Sequence, residues 1–274
     1  MSQPDIFDDV IACLQQIKRR GRRRLDLRPE TVEALFGPAP AAASEDAADA
    51  TPEAQRERLR NAAPPPGPAG AAATPTAEIP AGWEGLAAAV AGCRRCRLHA
   101  GRTQTVFGEG ARNAAVMFVG EGPGEEEDRT GRPFVGLAGG LLTRMIAAMQ
   151  FSREEVYIAN IVKCRPPGNR TPQPDEAAAC LPYLLRQIEL IKPKVLVLLG
   201  AVPLRYVMRI DGITRVHGQW MEFGGIPCLP TYHPAYLLRS PQMKKESWED
   251  LQKVMQRLGR DPAETMRRLR ERKA

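Results

Sequence analysis

A chain of 274 residues, 43% of them hydrophobic, is long enough for one substantial core with extensions, and its net charge of +7 suits a polyanionic partner, most simply nucleic acid. No apolar run reaches the roughly 18 residues of a membrane span, and the N-terminus carries Asp5, Asp8 and Asp9 where a secretory leader would be basic. A soluble cytoplasmic protein without a membrane contact is expected, in which six cysteines read as metal ligands or buried thiols and not as a disulfide framework.

Composition divides the chain. In residues 1–37, Phe7, Val10, Ile11, Leu14 and Ile17 fall at helical spacing ahead of the basic run Lys18 to Arg24, predicting an amphipathic helix with a solvated basic tail. This arm is a candidate auxiliary DNA contact or docking segment for a repair or replication partner. Residues 38–82 are Ala, Pro, Gly and Thr broken by charges, too poor in large apolar side chains to offset their ordering entropy, and predict a disordered linker.

Residues 83–260 alternate strand and helix. Ala115–Val119, Val156–Ala159, Val195–Leu199 and Ile226–Pro230 are short apolar runs, the first three typical of buried parallel strands. Helical patterns lie between them, near 137–149, 175–191 and 202–208, and again over 247–258. The expectation is a three-layer α/β/α domain on a short central parallel sheet, with a basic helix or tail over 261–274.

In such sheets ligands sit beyond the carboxyl ends of the strands. After the first strand comes Gly120-Glu121-Gly122-Pro123-Gly124 followed by Glu125, Glu126, Glu127 and Asp128, a tight turn that lets a ligand approach the backbone. It lacks the Lys-Ser/Thr ending of a phosphate-binding loop, and its acidic run repels phosphate. After the second strand comes Asn160, able to donate and accept at a base edge. After the fourth comes Thr231-Tyr232-His233-Pro234, placing one of three histidines at a strand's end. His99 beside the cysteines and His217 in a loop weigh less.

Four cysteines have ligand spacing: the pair Cys93-x₂-Cys96, flanked by Arg94, Arg95 and Arg97, and the distant Cys164 and Cys180. Four thiolates satisfy either a tetrahedral zinc or an iron–sulfur cubane, and their count does not choose between them. Cys13 and Cys228 lack such spacing and read as apolar fillers.

From Cys93 to Leu258 the text resembles the family 4, iron–sulfur uracil-DNA glycosylases. The resemblance rests on GEGPGEEED, on TGRPFVGLAG at Thr130 to Gly139, on NIVKCRPPGNRTP at Asn160 to Pro172, and on TRVHGQW and TYHPAYLLR, in the family's order. It implies a structural [4Fe–4S] cluster on Cys93, Cys96, Cys164 and Cys180, and hydrolysis of the N-glycosidic bond of uracil in single- or double-stranded DNA by a monomer. It further implies that His233 bonds uracil O2, Asn160 reads the O4/N3 edge and Phe134 stacks on the ring. Glu121 and Gly122 would lie against base and sugar, with Glu121 the first choice to position water. Glu127 would sit where a thymine methyl falls, Asn169 would support the network, and Leu237 and Leu238 would form a wedge into the vacated stack, with Arg239 on a phosphate. Two alternatives are weaker. A non-catalytic iron–sulfur DNA-binding protein does not need Glu121, Asn160 and His233 together. A covalently capturing relative needs a histidine-bearing insertion after the second strand, where Asn160-Ile161-Val162-Lys163 runs straight into Cys164.

Overall fold

A computed structural model describes residues 79–271 of the chain. The readings made of residues 1–78, including the helix, the basic run, most of the linker and Cys13, lie outside the described residues.

The sheet has six strands: β1 (Glu109–Gly110), β2 (Val116–Gly120), β3 (Tyr157–Asn160), β4 (Val195–Leu199), β5 (Met221–Phe223) and β6 (Ile226–Thr231), in the order β1-β3-β2-β4-β6-β5. The four strands expected from the apolar runs are β2, β3, β4 and β6, paired in parallel. The two edge strands pair antiparallel and make the sheet mixed. Both escaped the sequence reading because two or three residues, none of them buried, carry no apolar run.

Every residue of β2 and β4 is buried, as continuous Val/Leu runs require when both sheet faces are covered. Met117, Val119, Leu196 and Leu198 face a cluster shared with α1 (Trp83–Ala91) and α4 (Pro174–Ile191). The alternate residues Val116, Phe118 and Val197 point to the opposite face, where α3 (Leu137–Ala148) and α8 (Lys244–Arg257) supply the buried rows Leu142, Met145, Ile146 and Leu251, Val254, Met255. Between them in chain order lie α2 (Glu125–Thr130), α5 (Ala201–Pro203, continued by a π-helical turn over Leu204–Met208), α6 (Ile213–Val216) and α7 (Pro234–Arg239); α9 (Pro262–Glu271) follows α8.

Strand order fixes where the site falls. The chain leaves β2 for β3 on one side, then crosses to β4 on the other, so the loops after β2 and β4 diverge and open a crevice at the carboxyl edge. Gly200 closes β4 with φ +94°, and a side chain there would press on the Cβ of His233 at 2.9 Å. Its N–H donates to Thr231 O at 2.8 Å, tying the end of β4 to the strand that delivers His233.

Candidate active site

One cleft at this edge is lined by the Gly-rich turn Glu121 to Gly124, by Glu127, Phe134, Asn160, Asn169, Thr171 and His233, and by Leu137, Tyr236 and Arg239. The sequence thus placed most of its candidates around one space.

His233 is the N-cap of α7, with Nδ1 accepting from the Ala235 N–H at 3.1 Å. Burial, and then the charge of Arg239, push its pKa down to about 4, so the ring is neutral at physiological pH. A neutral imidazole whose Nδ1 is an acceptor carries its proton on Nε2, which leaves that N–H as the ring's donor. The Phe134 ring lies 5.5 Å from the His233 ring, tilted by 33°.

Asn160 ends β3 and is 2% exposed; among the described residues its Oδ1 has no hydrogen-bond partner. A buried amide acceptor left unmatched costs on the order of 1–3 kcal/mol, which a bound donor would recover. A Cβ on Gly120 would stand 2.5 Å from both Asn160 Oδ1 and Phe134 Cζ, so glycine alone lets the amide and the aromatic ring share the cleft floor.

Phe134 sits at φ +52°, left-handed backbone that is uncommon for an aromatic residue. Glu127 explains how the conformation is held. Its Oε1 accepts from Val135 N at 2.8 Å and Gly136 N at 3.0 Å, and its Oε2 from Gly124 N at 3.0 Å. Arg153 adds a bond to Pro133 O. Glu127 lines the cleft as expected, and with both of its oxygens accepting from backbone it also clamps the Gly-rich turn to the Phe134 turn.

Glu121 is half-buried, and burial raises its pKa against the opposing effect of a hydrogen bond with Thr171. Asn169 adopts φ +56°, with Oδ1 accepting from Arg165 Nε at 2.8 Å. Thr171, Arg165 and Tyr236 were not singled out from sequence. Nothing in their types or spacing sets them apart, since only folding brings Thr171 and Tyr236 to the cleft and Arg165 to Asn169.

One expectation is corrected. Leu237 is 1% exposed, turned inward from α7 into the core, and cannot serve as a wedge in this conformation; helix geometry sends the two neighbours in different directions, leaving Leu238 half-buried. Arg239 is exposed on the cleft rim.

Behind His233, α8 anchors β6. Asp250 is 2% exposed; its Oδ2 accepts from Thr231 Oγ1 at 2.8 Å and pairs with His217 Nδ1 at 3.0 Å. The His217 ring stacks at 4.6 Å on Tyr232, which precedes His233 in the chain. His217 therefore belongs to the support of the loop that carries His233 and is not among the residues lining the cleft.

The cysteines gather elsewhere. Cys93, Cys96, Cys164 and Cys180 line one small pocket with His99, Arg102, Lys163 and Tyr183. Arg102 Nη1 donates to Cys93 O at 2.8 Å and Cys164 Sγ at 3.1 Å, and the Lys163 N–H lies 3.3 Å from Cys180 Sγ. Glu176, fully buried, joins Arg97 beside Cys96 to Arg170 and the start of α4, and its bond to Arg170 lowers its pKa to about 2. Burial pushes the Cys180 thiol up to about 12. Among the described residues no three His, Cys, Asp or Glu side chains converge as ligands of a metal ion. Cys228 is fully buried in the core and apart from this set.

The Gly-rich turn, the strand-end asparagine and the strand-end histidine meet at one cleft on this sheet, and a sequence model of the uracil DNA glycosylase superfamily matches residues 107–252. The chain belongs to that superfamily. It is 52% identical over 169 residues to a type-4 uracil-DNA glycosylase of Thermotoga maritima, covering 59% of this chain and 87% of the relative. It is 46% identical to a type-4 uracil-DNA glycosylase of Saccharolobus solfataricus (62% of this chain, 83% of the relative), and 34% identical to a type-5 uracil-DNA glycosylase of Pyrobaculum aerophilum (46% and 63%).

Proposed function

We propose that this protein is a monofunctional uracil-DNA glycosylase that hydrolyses the bond between uracil and deoxyribose, releasing free uracil and leaving an abasic site. The observation that carries the reading is that a neutral, Nε2-protonated His233, the unmatched Asn160 Oδ1 and the Phe134 ring line one cleft.

A base inside a duplex is out of reach, so the nucleotide must be extruded into the cleft. There the uracil N3–H supplies the donor that Asn160 Oδ1 lacks, while the amide N–H reaches O4. Cytosine presents the reverse pattern and leaves both groups opposed. Phe134 takes the ring face. As the N1–C1′ bond breaks, its electron pair passes to the base, and charge develops at O2 within reach of the His233 Nε2–H. A neutral donor loses no proton of its own in meeting that charge. Water then adds to C1′ and gives up a proton, which we assign to the half-buried Glu121 on the Gly-rich turn, a cleft carboxylate whose pKa burial raises.

The four cysteines are read as ligands of a [4Fe–4S] cluster. The four line one common pocket, and the relatives that this chain resembles are type-4 uracil-DNA glycosylases. A cubane takes one thiolate per iron, and N–H donors to sulfur such as Lys163 N and Arg102 Nη1 suit it. Such a cluster would tie the Cys93–Cys96 turn to the loop after β3 and to α4. The site residues, uracil-containing DNA as substrate, a monomeric state and a cytoplasmic location belong to the same reading.

The test is incubation with an oligonucleotide bearing one uracil, followed by alkali. Strand breakage at the uracil, absent for a thymine control, is expected; an intact strand at excess enzyme would remove the proposal.

A further inference from the structure

Among the described residues the domain hides its large apolar side chains with two exceptions, Leu137 at 87% exposed and Trp220 at 36%. Trp220 has the Arg257 guanidinium over its ring at 4.6 Å and is not among the residues lining the cleft. Leu137 does line it. A leucine left in water forgoes the gain of burial, and at the mouth of a cleft that gain is open to whatever apolar surface the substrate brings. Of the pair expected as a wedge, Leu237 is buried and Leu238 is not among the lining residues, so neither competes for this place.

The side chain has a firm mount and bare surroundings. Leu137 is the first residue of α3, and the two residues before it, Val135 and Gly136, donate their N–H groups to Glu127 Oε1 at 2.8 and 3.0 Å. Its neighbours on the helix are Gly136, Ala138 and, one turn on, Gly140, where a Cβ would meet nothing nearer than Arg144 Nη1 at 3.8 Å. Phe134 stands three residues earlier on the same clamped turn. The exposed carboxylates of this cleft have their charges answered, Glu126 by Arg129 at 2.7 Å and Glu125 by Arg165 at 3.4 Å, which lessens their repulsion of a strand.

We propose that Leu137 is the wedge of this protein: as the uracil nucleotide leaves the duplex for the cleft, this side chain enters the vacated stack and keeps the base from returning. Extrusion leaves a gap between the base's former neighbours, and an apolar side chain that fills it offsets part of the lost stacking. The assignment rests on the glycosylase reading and adds a residue that acts on the duplex and not on the bond being broken, so its size sets which pairs surrender a base.

The test compares single-turnover excision by the full-length holoprotein from a duplex with uracil opposite adenine and from the same uracil strand alone, where no pair has to be opened. Leu137→Ala should lower the ratio of duplex to single-strand rates by about 10–100-fold, the factor that corresponds to burying one leucine side chain, while Leu137→Met, similar in volume, should keep most of it. A pyrene nucleotide opposite the uracil fills the stack from the other strand and should return Leu137→Ala toward the wild-type rate. Both substrates slowed alike, or a loss that pyrene does not relieve, would place Leu137 against the base in the cleft and overturn the wedge. A wild type that cuts both substrates with Leu137→Ala unimpaired on the duplex removes the wedge alone, as does a wild type that cuts the single strand only. A wild type that cuts neither removes the glycosylase reading, and the wedge with it.

Discussion

Replacing His233 by alanine tests both its chemistry and its burial. Removing one donor aimed at a developing anion lowers the rate by about 10²–10³, so single-turnover excision by His233→Ala at saturating DNA should fall by that factor while binding changes little. The pKa near 4 adds a pH signature. The wild-type rate should show no inflection from this ring between about pH 5.5 and 8, because the donor is already neutral there; a cationic donor would instead lose rate as pH rises through 6.5. Stability follows with its own sign. The folded pKa lies below the unfolded value of about 6.5, so the unfolded chain binds the extra proton, and stability is present above pH 6.5 and lost as pH falls toward 4. The shift of about 2.5 units corresponds to about 3 kcal/mol at most. Urea unfolding at pH 7 and pH 4.5 should therefore diverge less for His233→Ala than for the wild type. An excision rate within threefold of wild type, or a rate that climbs with acidity below pH 6.5 in the wild type and not in the variant, would refute the neutral-donor account.

Gly120→Ala should abolish excision in a protein that still folds, because the new methyl meets Asn160 Oδ1 and the Phe134 ring at 2.5 Å; circular dichroism with the strand-break assay checks this. Glu127→Ala should leave the Val135, Gly136 and Gly124 N–H groups without their acceptor and destabilise by at least about 2 kcal/mol, read by urea unfolding, with excision falling as the Phe134 turn loosens. Asp250→Ala should cut the single-turnover rate with little change in DNA affinity, since it releases Thr231 and His217 two residues and one stacked ring from His233, and Asp250→Asn should recover part of the loss; equal rates in all three proteins would argue against that support. Cys164→Ser should yield protein with reduced iron and visible absorption and a lower melting point, measured by metal analysis and calorimetry; full iron content would exclude Cys164 as a ligand.

The parts of this molecule legible in the sequence are those where one residue type answers one physical demand. Val195-Leu196-Val197-Leu198-Leu199 announces a strand covered on both faces, and Asn160 and His233 announce themselves by standing at strand ends. The edge strands Glu109–Gly110 and Met221–Phe223 were illegible because they are defined by their neighbours' hydrogen bonds. Glu127 was placed at the cleft, but sequence shows a carboxylate without showing the three N–H groups that surround it. Leu237 and Leu238 looked equivalent until a helix turned one inward and left the other half-buried.

The left-handed turn at Phe134 has a consequence for how this protein can vary. A side chain on Gly139 would run into the carbonyl of Phe134, so α3 can begin beneath that turn only if position 139 stays bare. The residues that would touch a base can be exchanged one at a time at the cost of rate or selectivity. Gly139 and Glu127 offer no such gradation, since altering either disturbs the backbone on which the aromatic ring is mounted. A search for variants with a new base preference would therefore find its usable diversity at Leu137, Thr171 and Tyr236 on the cleft wall, and would meet collapse, not altered choice, at the positions behind it.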